Sequence, residues 1–388
     1  MKTYSLLILA WNAYVGHVQE FIINLKKINP NVKISLLTSE PDLDSIPDGI
    51  RQNTSEILFF QRPSRKYKSK FVEGFMKRFF FMKTFICLSN KHFDIVNIHF
   101  ASPSLSHALH WIKKMSNRIV ISPWGSDVLR VERQKKIKQL TKVYAAAHFV
   151  TIGKKNVVGE RLINVFNVNP DKIIGLGWGG EFFDYIQENI SDITTEEAKA
   201  RFGLTGRYVI TCGYNTQREQ RHEAIIDAVY AVRDQLPENL TLLFPFTYGR
   251  TAWSDGYTEA IKEKAKCLGF NVVSVEDNLN MPDLFKLRMA TDIFVHVQTT
   301  DSGSRCVMEY VACNKKVVHG SWIKYAYLED YKPSCYFPVD RLEDLGECIV
   351  KAYNTDVAPL PHEVKDIIME RGWKHKMTKW NNFFESLL

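Results

Sequence analysis

The sequence predicts an α/β protein built of two Rossmann-like domains facing a cleft, and three observations lead there. Its 388 residues exceed one ordinary domain and suit two of about 180–200 residues. Short, continuously apolar segments alternate with longer amphipathic ones, the pattern of parallel strands covered by helices on both faces. That rhythm stops near residue 177 and restarts near residue 207. Hydrophobic residues at 45% and charged residues at 24% are ordinary globular values, which argues against a disordered or low-complexity chain.

The first domain is expected over residues 1–180. Strands are predicted at 4–11, 32–38, 56–60, 94–100, 118–123, 148–152 and 172–176, with helices at 16–28, 69–90, 104–116, 131–147 and 157–166 between them. The opening run Ser5-Leu-Leu-Ile-Leu-Ala10 is too short for a signal peptide and suits a buried strand. Residues 181–206 are acidic and polar and read as a linker. A second series over 207–365 has strands at 208–212, 240–246, 272–275, 293–297 and 316–318, separated by helices. The tail, 366–388, holds Trp373, Trp380, Phe383 and Phe384 at helical spacing and reads as an amphipathic helix docking on the first domain. No apolar run reaches the roughly 18–20 residues of a membrane span. Seven cysteines without a C-x-x-C pair argue against a disulfide framework or structural zinc and favour a reducing cytoplasm.

Charge divides the chain. Residues 1–185 hold 27 Lys and Arg against 14 Asp and Glu, and the remainder 24 against 29. A basic half suits an anionic partner. The segment 62–85 interleaves Arg62, Arg65, Lys66, Lys68, Lys70, Lys77, Arg78 and Lys83 with Phe71, Phe75, Phe79, Phe80, Phe81 and Phe85. That is the pattern of an interfacial membrane helix on anionic lipid. The plain alternative is a surface helix with an apolar core stripe. No zinc-finger, RNP or helix-turn-helix signature points to nucleic acid.

No P-loop and no G-x-G-x-x-G occurs, and no D-x-D or H-E-x-x-H suggests a metal. A diphosphate must then be held by basic side chains and helix N-termini. Asp301-Ser302-Gly303-Ser304-Arg305 leaves an apolar strand and enters a helix, where small residues let backbone N–H groups approach an anion. Glu309 follows Asp301 by eight residues, so both carboxylates can serve sugar hydroxyls; an N-cap and an exposed helix glutamate are the alternative. Gly213, then Arg218 and Arg221, precede another helix start, where a cation opposes the dipole and an anion would explain it. In the first domain Gly16 and His17 follow the first strand, His99 ends a strand, and Trp124 and Asp127 follow the next. Several polar groups therefore converge on one rim, although a lone strand-end histidine is often structural.

In these residues and their order the chain resembles the GT-B-fold retaining glycosyltransferases, most closely family 4. Asp301-x7-Glu309 and the following Tyr310-Val-Ala-Cys-Asn-Lys-Lys-Val-Val318 look like that family's E-x7-E motif and its continuation. Ile121-Ser-Pro-Trp-Gly-Ser-Asp127 and Asp94-Ile-Val-Asn-Ile-His99 resemble its two strand ends, and 172–183 its interdomain segment. Asp301 stands for the first Glu, Trp124 for a histidine, Asn314 and Lys316 for Gly and Pro, and Gln220 or Arg221 for a lysine. Residues 243–249 with 218–222 also resemble bacterial transferases of acetamido-fucose to lipid-linked oligosaccharide.

The resemblance implies a hexosyltransferase that moves a sugar from a nucleotide-sugar donor to a lipid-linked or polysaccharide acceptor with retention. Its setting would be bacterial surface glycan synthesis, at the cytoplasmic face of the membrane. It implies that Glu309 binds the ribose, Asp301 the donor sugar, and Ser304, Arg305 and Arg218 or Arg221 the diphosphate. His99 would bond the sugar near the reacting carbon, with Gly16 beside the phosphates and no cofactor or metal required. The leaving diphosphate would help deprotonate the acceptor hydroxyl. Two other readings are a nucleotide-sugar 2-epimerase of the same fold and a non-catalytic nucleotide-sugar-binding module.

Overall fold

The computed structural model describes residues 1–13, 16–62, 69–152, 157–189, 193–249, 254–301 and 303–388. Arg65, Lys66, Lys68 and Ser302, singled out above, lie outside the described residues. The chain forms two compact units, Met1–Gly179 with Trp373–Leu388, and Gly180–Gly372.

The first unit contains β1 (Ser5–Ala10), β2 (Lys33–Thr38), β3 (Glu56–Phe59), β4 (Ile95–His99), β5 (Ile119–Ser122), β6 (Phe149–Thr151) and β7 (Ile173–Ile174). They form one sheet in the order β3-β2-β1-β4-β5-β6-β7, with every pair parallel. Successive residues of a strand face opposite layers. Leu7 and Leu9 of β1 accordingly join one core with Ile98, Ile121 and Val150, while Leu6 and Ile8 join another with Phe21, Ile34 and Trp380. Burial of both layers is why these strands read as unbroken apolar runs.

The Trp373–Ser386 helix fills the second of those cores with Trp373, Met377, Trp380 and Phe384, at i, i+4, i+7 and i+11, a single helical stripe. Its polar edge is also fixed: Tyr4 Oη and Asn29 Nδ2 donate to Asn381 Oδ1 at 3.1 and 3.0 Å. Trp380 Nε1 donates to the Gly177 carbonyl at 3.0 Å. A separate short helix, His362–Met369, precedes it, where the sequence suggested one tail helix.

The second unit contains β8 (Tyr208–Cys212), β9 (Leu240–Pro245), β10 (Asn271–Val275), β11 (Ile293–His296), β12 (Lys316–Gly320) and β13 (Tyr336–Val339). Their order is β10-β9-β8-β11-β12-β13, again with every pair parallel. The segment 181–206 is more than a linker. It carries the helices Glu181–Asn189 and Thr195–Ala200, and Phe182, Phe183 and Ile186 are buried against Phe285 and Val307. Those apolar residues sit among acidic ones, so composition alone hid the helix.

Each sheet has one place where strand order reverses, between β1 and β4 and between β8 and β11. Ligands of open parallel sheets bind at the carboxyl ends of strands beside such a reversal.

Candidate functional site

The first unit brings its predicted residues to that edge. His99, last residue of β4, pairs in register with Ala10, last residue of β1. A buried hydrogen-bond chain runs across three strands: Thr151 Oγ1 to Ser122 Oγ at 2.8 Å, Ser122 Oγ to Asn97 Oδ1 at 2.8 Å, and Asn97 Nδ2 to His99 Nε2 at 3.1 Å. Because Asn97 donates to Nε2, the ring proton of His99 belongs on Nδ1. That nitrogen has no hydrogen-bond partner, although the side chain is fully buried. Burial lowers the His99 pKa to about 3, so the ring is a neutral donor at physiological pH.

Aromatic rings wall this position. The His99 ring meets Trp178 and Phe21 edge-on at 4.8 and 5.0 Å. His17 stacks on Trp178 at 5.7 Å and lies 6.0 Å from Trp124. Gly16 starts the Gly16–Ile28 helix beside them and is exposed. Asp127, expected on the rim with the other polar groups, turns inward. It is buried, and its Oδ1 accepts from the Trp124 and Gly125 amides, both at 3.0 Å, while Oδ2 accepts from the Ala101 amide at 2.9 Å. Asp127 thus ties together the loops after β4 and β5. Burial raises its pKa to about 6 against the effect of those bonds.

In the second unit, Gly213 follows β8 with φ of 64°. A Cβ there would stand 2.9 Å from Gln220 Oε1 and 3.0 Å from His222 Nε2, so the tight turn needs glycine. Arg218 and Arg221 flank the next helix start, their guanidinium groups over the rings of Tyr257 and Trp322, both at 5.3 Å. Arg221 itself adopts a left-handed conformation, φ 58°, a strained choice for a non-glycine residue. Arg305 opens the Arg305–Ala312 helix close to Gly180; a Cβ on that glycine would stand 3.1 Å from Arg305 Nη1.

The carboxylates are held more tightly than their spacing suggested. Glu309 Oε2 accepts from Arg288 Nε and Nη2 at 3.0 and 2.8 Å, and both side chains are buried. Arg288 also donates to Tyr310 Oη at 3.1 Å. The exposed-helix alternative for Glu309 is therefore wrong. Asp301 Oδ2 accepts from Tyr325 Oη at 3.2 Å, and that hydroxyl accepts from the Ser304 amide at 2.8 Å. The Ser304 amide, expected to face a diphosphate, points at Tyr325 instead, while the Ser304 side chain caps its helix by accepting from the Cys306 amide at 3.1 Å. Gly303, φ 94°, has open space where a Cβ would lie.

Sequence reasoning missed Arg288, Tyr325 and a pair of buried histidines. His296 ends β11 and pairs in register with His319 of β12, their rings parallel within 2° and 5.5 Å apart. His296 Nε2 lies 3.1 Å from Asp301 Oδ2 without hydrogen-bond alignment. Burial, then His296, holds the His319 pKa well below the histidine range. A histidine closing an otherwise apolar strand was the available signal, as it was for His99. Among the described residues no group of three or more His, Cys, Asp or Glu is placed to hold a metal ion.

No family model and no curated protein matches the sequence. Solved structures do match, along nearly the whole chain. A glycosyltransferase from Rickettsia africae is 14% identical with a TM-score of 0.70, covering 100% of this chain and 99% of its own. HepE of Anabaena, in complex with UDP and glucose, is 12% identical with a TM-score of 0.70, covering 99% and 100%. Sucrose-phosphate synthase from Thermosynechococcus elongatus is 11% identical with a TM-score of 0.71, covering 99% of each. The two parallel-sheet units are those of the GT-B glycosyltransferase structures.

Proposed function

We propose that this chain is a glycosyltransferase taking a sugar from a nucleotide-sugar donor held at the strand ends of β8 and β11. The observation that carries the reading is the full-length likeness to such enzymes, one of which was solved with UDP-glucose, joined to a basic rim at the matching edge. Arg218, Arg221 and Arg305 supply positive charge for a diphosphate, and the Arg305–Ala312 helix adds its positive end. Glu309, held in place by Arg288, presents a carboxylate for ribose hydroxyls, and Asp301 for those of the sugar.

In the reaction the bond from the anomeric carbon to the diphosphate oxygen breaks and a bond to the acceptor oxygen forms. The acceptor proton passes to the leaving diphosphate, and the anomeric configuration is retained. The arginines stabilise the charge that develops on that diphosphate. His99, through its Nδ1–H, would hold a substrate hydroxyl at the first unit's edge. No metal or cofactor is required. The acceptor is a lipid-linked or glycan chain of bacterial surface polysaccharide synthesis, and the protein works peripherally at the cytoplasmic face of the membrane. The Lys70–Leu88 helix favours that setting over a soluble nucleotide-sugar 2-epimerase: Phe71, Phe75 and Phe79 are exposed rather than forming a core stripe. Among the described residues no helix is long and apolar enough to cross a membrane.

Thermal unfolding with UDP, GDP, dTDP and CMP tests the donor site. A nucleotide at about 100 times its Kd adds about 2.7 kcal/mol of stability. One nucleotide should shift the native chain and shift Arg221→Ala much less. Glu309→Ala is a poor probe, because it strands Arg288. If no nucleotide shifts the folded protein, the donor site is misplaced.

A further inference from the structure

The Pro103–His107 turn and the Gln134–Ala146 helix of the first unit line a cavity of about 420 Å³. Lys135, Lys138 and Lys142 border it at i, i+3 and i+7, one stripe of the helix. His107, also on its wall, takes Arg78 Nη2 of the Lys70–Leu88 helix at its Nε2, with Gln139 Nε2 at 3.1 Å from the same nitrogen. Two donors aimed at Nε2 make His107 neutral with its proton on Nδ1. Its pKa lies below the histidine range through burial first, then Arg78, Lys135 and Lys142.

Among the described residues, Arg78, Lys135, Lys138 and Lys142 form no ion pair. Like charges gathered on one wall repel one another, and folding gains nothing from placing them there. An anion resolves the repulsion, and several donors around one hollow suit the clustered oxygens of a phosphate. The source of that phosphate follows from the neighbouring helix. Phe71, Phe75 and Phe79 are 83%, 63% and 48% exposed, at i, i+4 and i+8, and Lys70, Lys77 and Lys83 interleave with them. A free ion has no use for an aromatic ridge, whereas a phosphate carried on a lipid arrives with acyl chains beside it.

We propose that this cavity binds the phosphate or diphosphate headgroup of a membrane lipid, with Phe71, Phe75 and Phe79 seated in the adjoining bilayer. The inference rests on the transferase reading with a lipid-linked acceptor and gives that lipid a phosphate site.

Sedimentation with vesicles tests it. Phosphatidylcholine vesicles doped with phosphatidic acid, which bears a terminal phosphate, are compared with vesicles doped to equal charge with phosphatidylglycerol. The native chain should prefer phosphatidic acid. Lys138→Gln with Lys142→Gln should lose the preference and bind roughly tenfold or more weakly. Phe71→Ser with Phe75→Ser should bind neither vesicle, and both variants should keep the native unfolding midpoint. Equal binding to the two vesicle types, or a preference that survives the double lysine change, overturns the proposal. So does stabilisation by inorganic pyrophosphate, equal in the native and phenylalanine variants, with no vesicle binding, which would mark a site for the free ion. Loss of nucleotide binding would sink the donor reading and leave the vesicle results standing.

Discussion

Two helices of the first unit share a composition and differ in fate. Lys70–Leu88 and Trp373–Ser386 both set aromatic rings at helical spacing among lysines. In the second, Trp373, Trp380 and Phe384 are fully buried, and hydrogen bonds from Tyr4, Asn29 and Trp380 hold its register. In the first, only Thr84 and Phe85 are buried, and three phenylalanines face outward. Amphipathicity therefore states that a helix needs an apolar partner and does not say where the partner is. The same contrast separates the charges. Arg288 and Glu309 neutralise each other inside the second unit, whereas Lys135, Lys138 and Lys142 line an outward cavity.

The largest effects should come from the inward members of these pairs. Trp380→Ala removes a fully buried ring and should cost about 3–5 kcal/mol, read as a lower urea midpoint; an unchanged midpoint would break the comparison. Glu309→Ala leaves a buried guanidinium without its carboxylate and should cost a similar amount, about 3–5 kcal/mol. Adding Arg288→Met should restore much of that loss, which would separate the structural cost from any effect on nucleotide binding.

Proton linkage sharpens the contrast at the first unit's edge. His99 has a folded pKa of about 3, below that of an unfolded histidine, about 6.5. Its stabilising contribution is present above pH of about 6.5 and is lost as pH falls toward 3, by up to about 1.4 kcal/mol per pH unit. His99→Gln should flatten that acid limb in urea unfolding. Asp127 has the opposite sign. With a folded pKa of about 6, the folded state holds its proton longer than the unfolded chain. Its contribution therefore falls as pH rises from about 4 to about 6, by about 2–3 kcal/mol in total. The difference between the native chain and Asp127→Asn should show that slope. The smallest stability effect belongs to the outward helix: Phe75→Ser should stay within about 0.5 kcal/mol while weakening vesicle binding.

Much of the architecture was legible because parallel strands covered on both faces must be apolar throughout. The strands from 5 to 38 and from 208 to 245, with the 16–28 helix, fall within a residue or so of expectation. β13 was missed because its Tyr336-Phe-Pro-Val339 run contains a proline, tolerable only at the edge position it occupies. At the site, chain position was legible and orientation was not. His99 ends β4, Gly213 directly follows β8, and Asp301 lies in the loop between β11 and the Arg305–Ala312 helix. The inward pull of Tyr325 on the Ser304 amide, of Arg288 on Glu309 and of the Ala101 amide on Asp127 joins residues 21 to 26 positions apart in sequence.

The sequence by itself determined the α/β class, the two sheets, the strand ends at which polar residues gather, and the amphipathic character of both aromatic helices. Those properties follow from local periodicity and from which residues must avoid water. Only the tertiary structure decided which amphipathic helix found a partner, which carboxylates turned inward, and where unpaired lysines collected around a hollow. Each of those is settled by groups that meet across long stretches of chain, where burial makes a hydrogen bond or ion pair obligatory and exposure leaves it unformed.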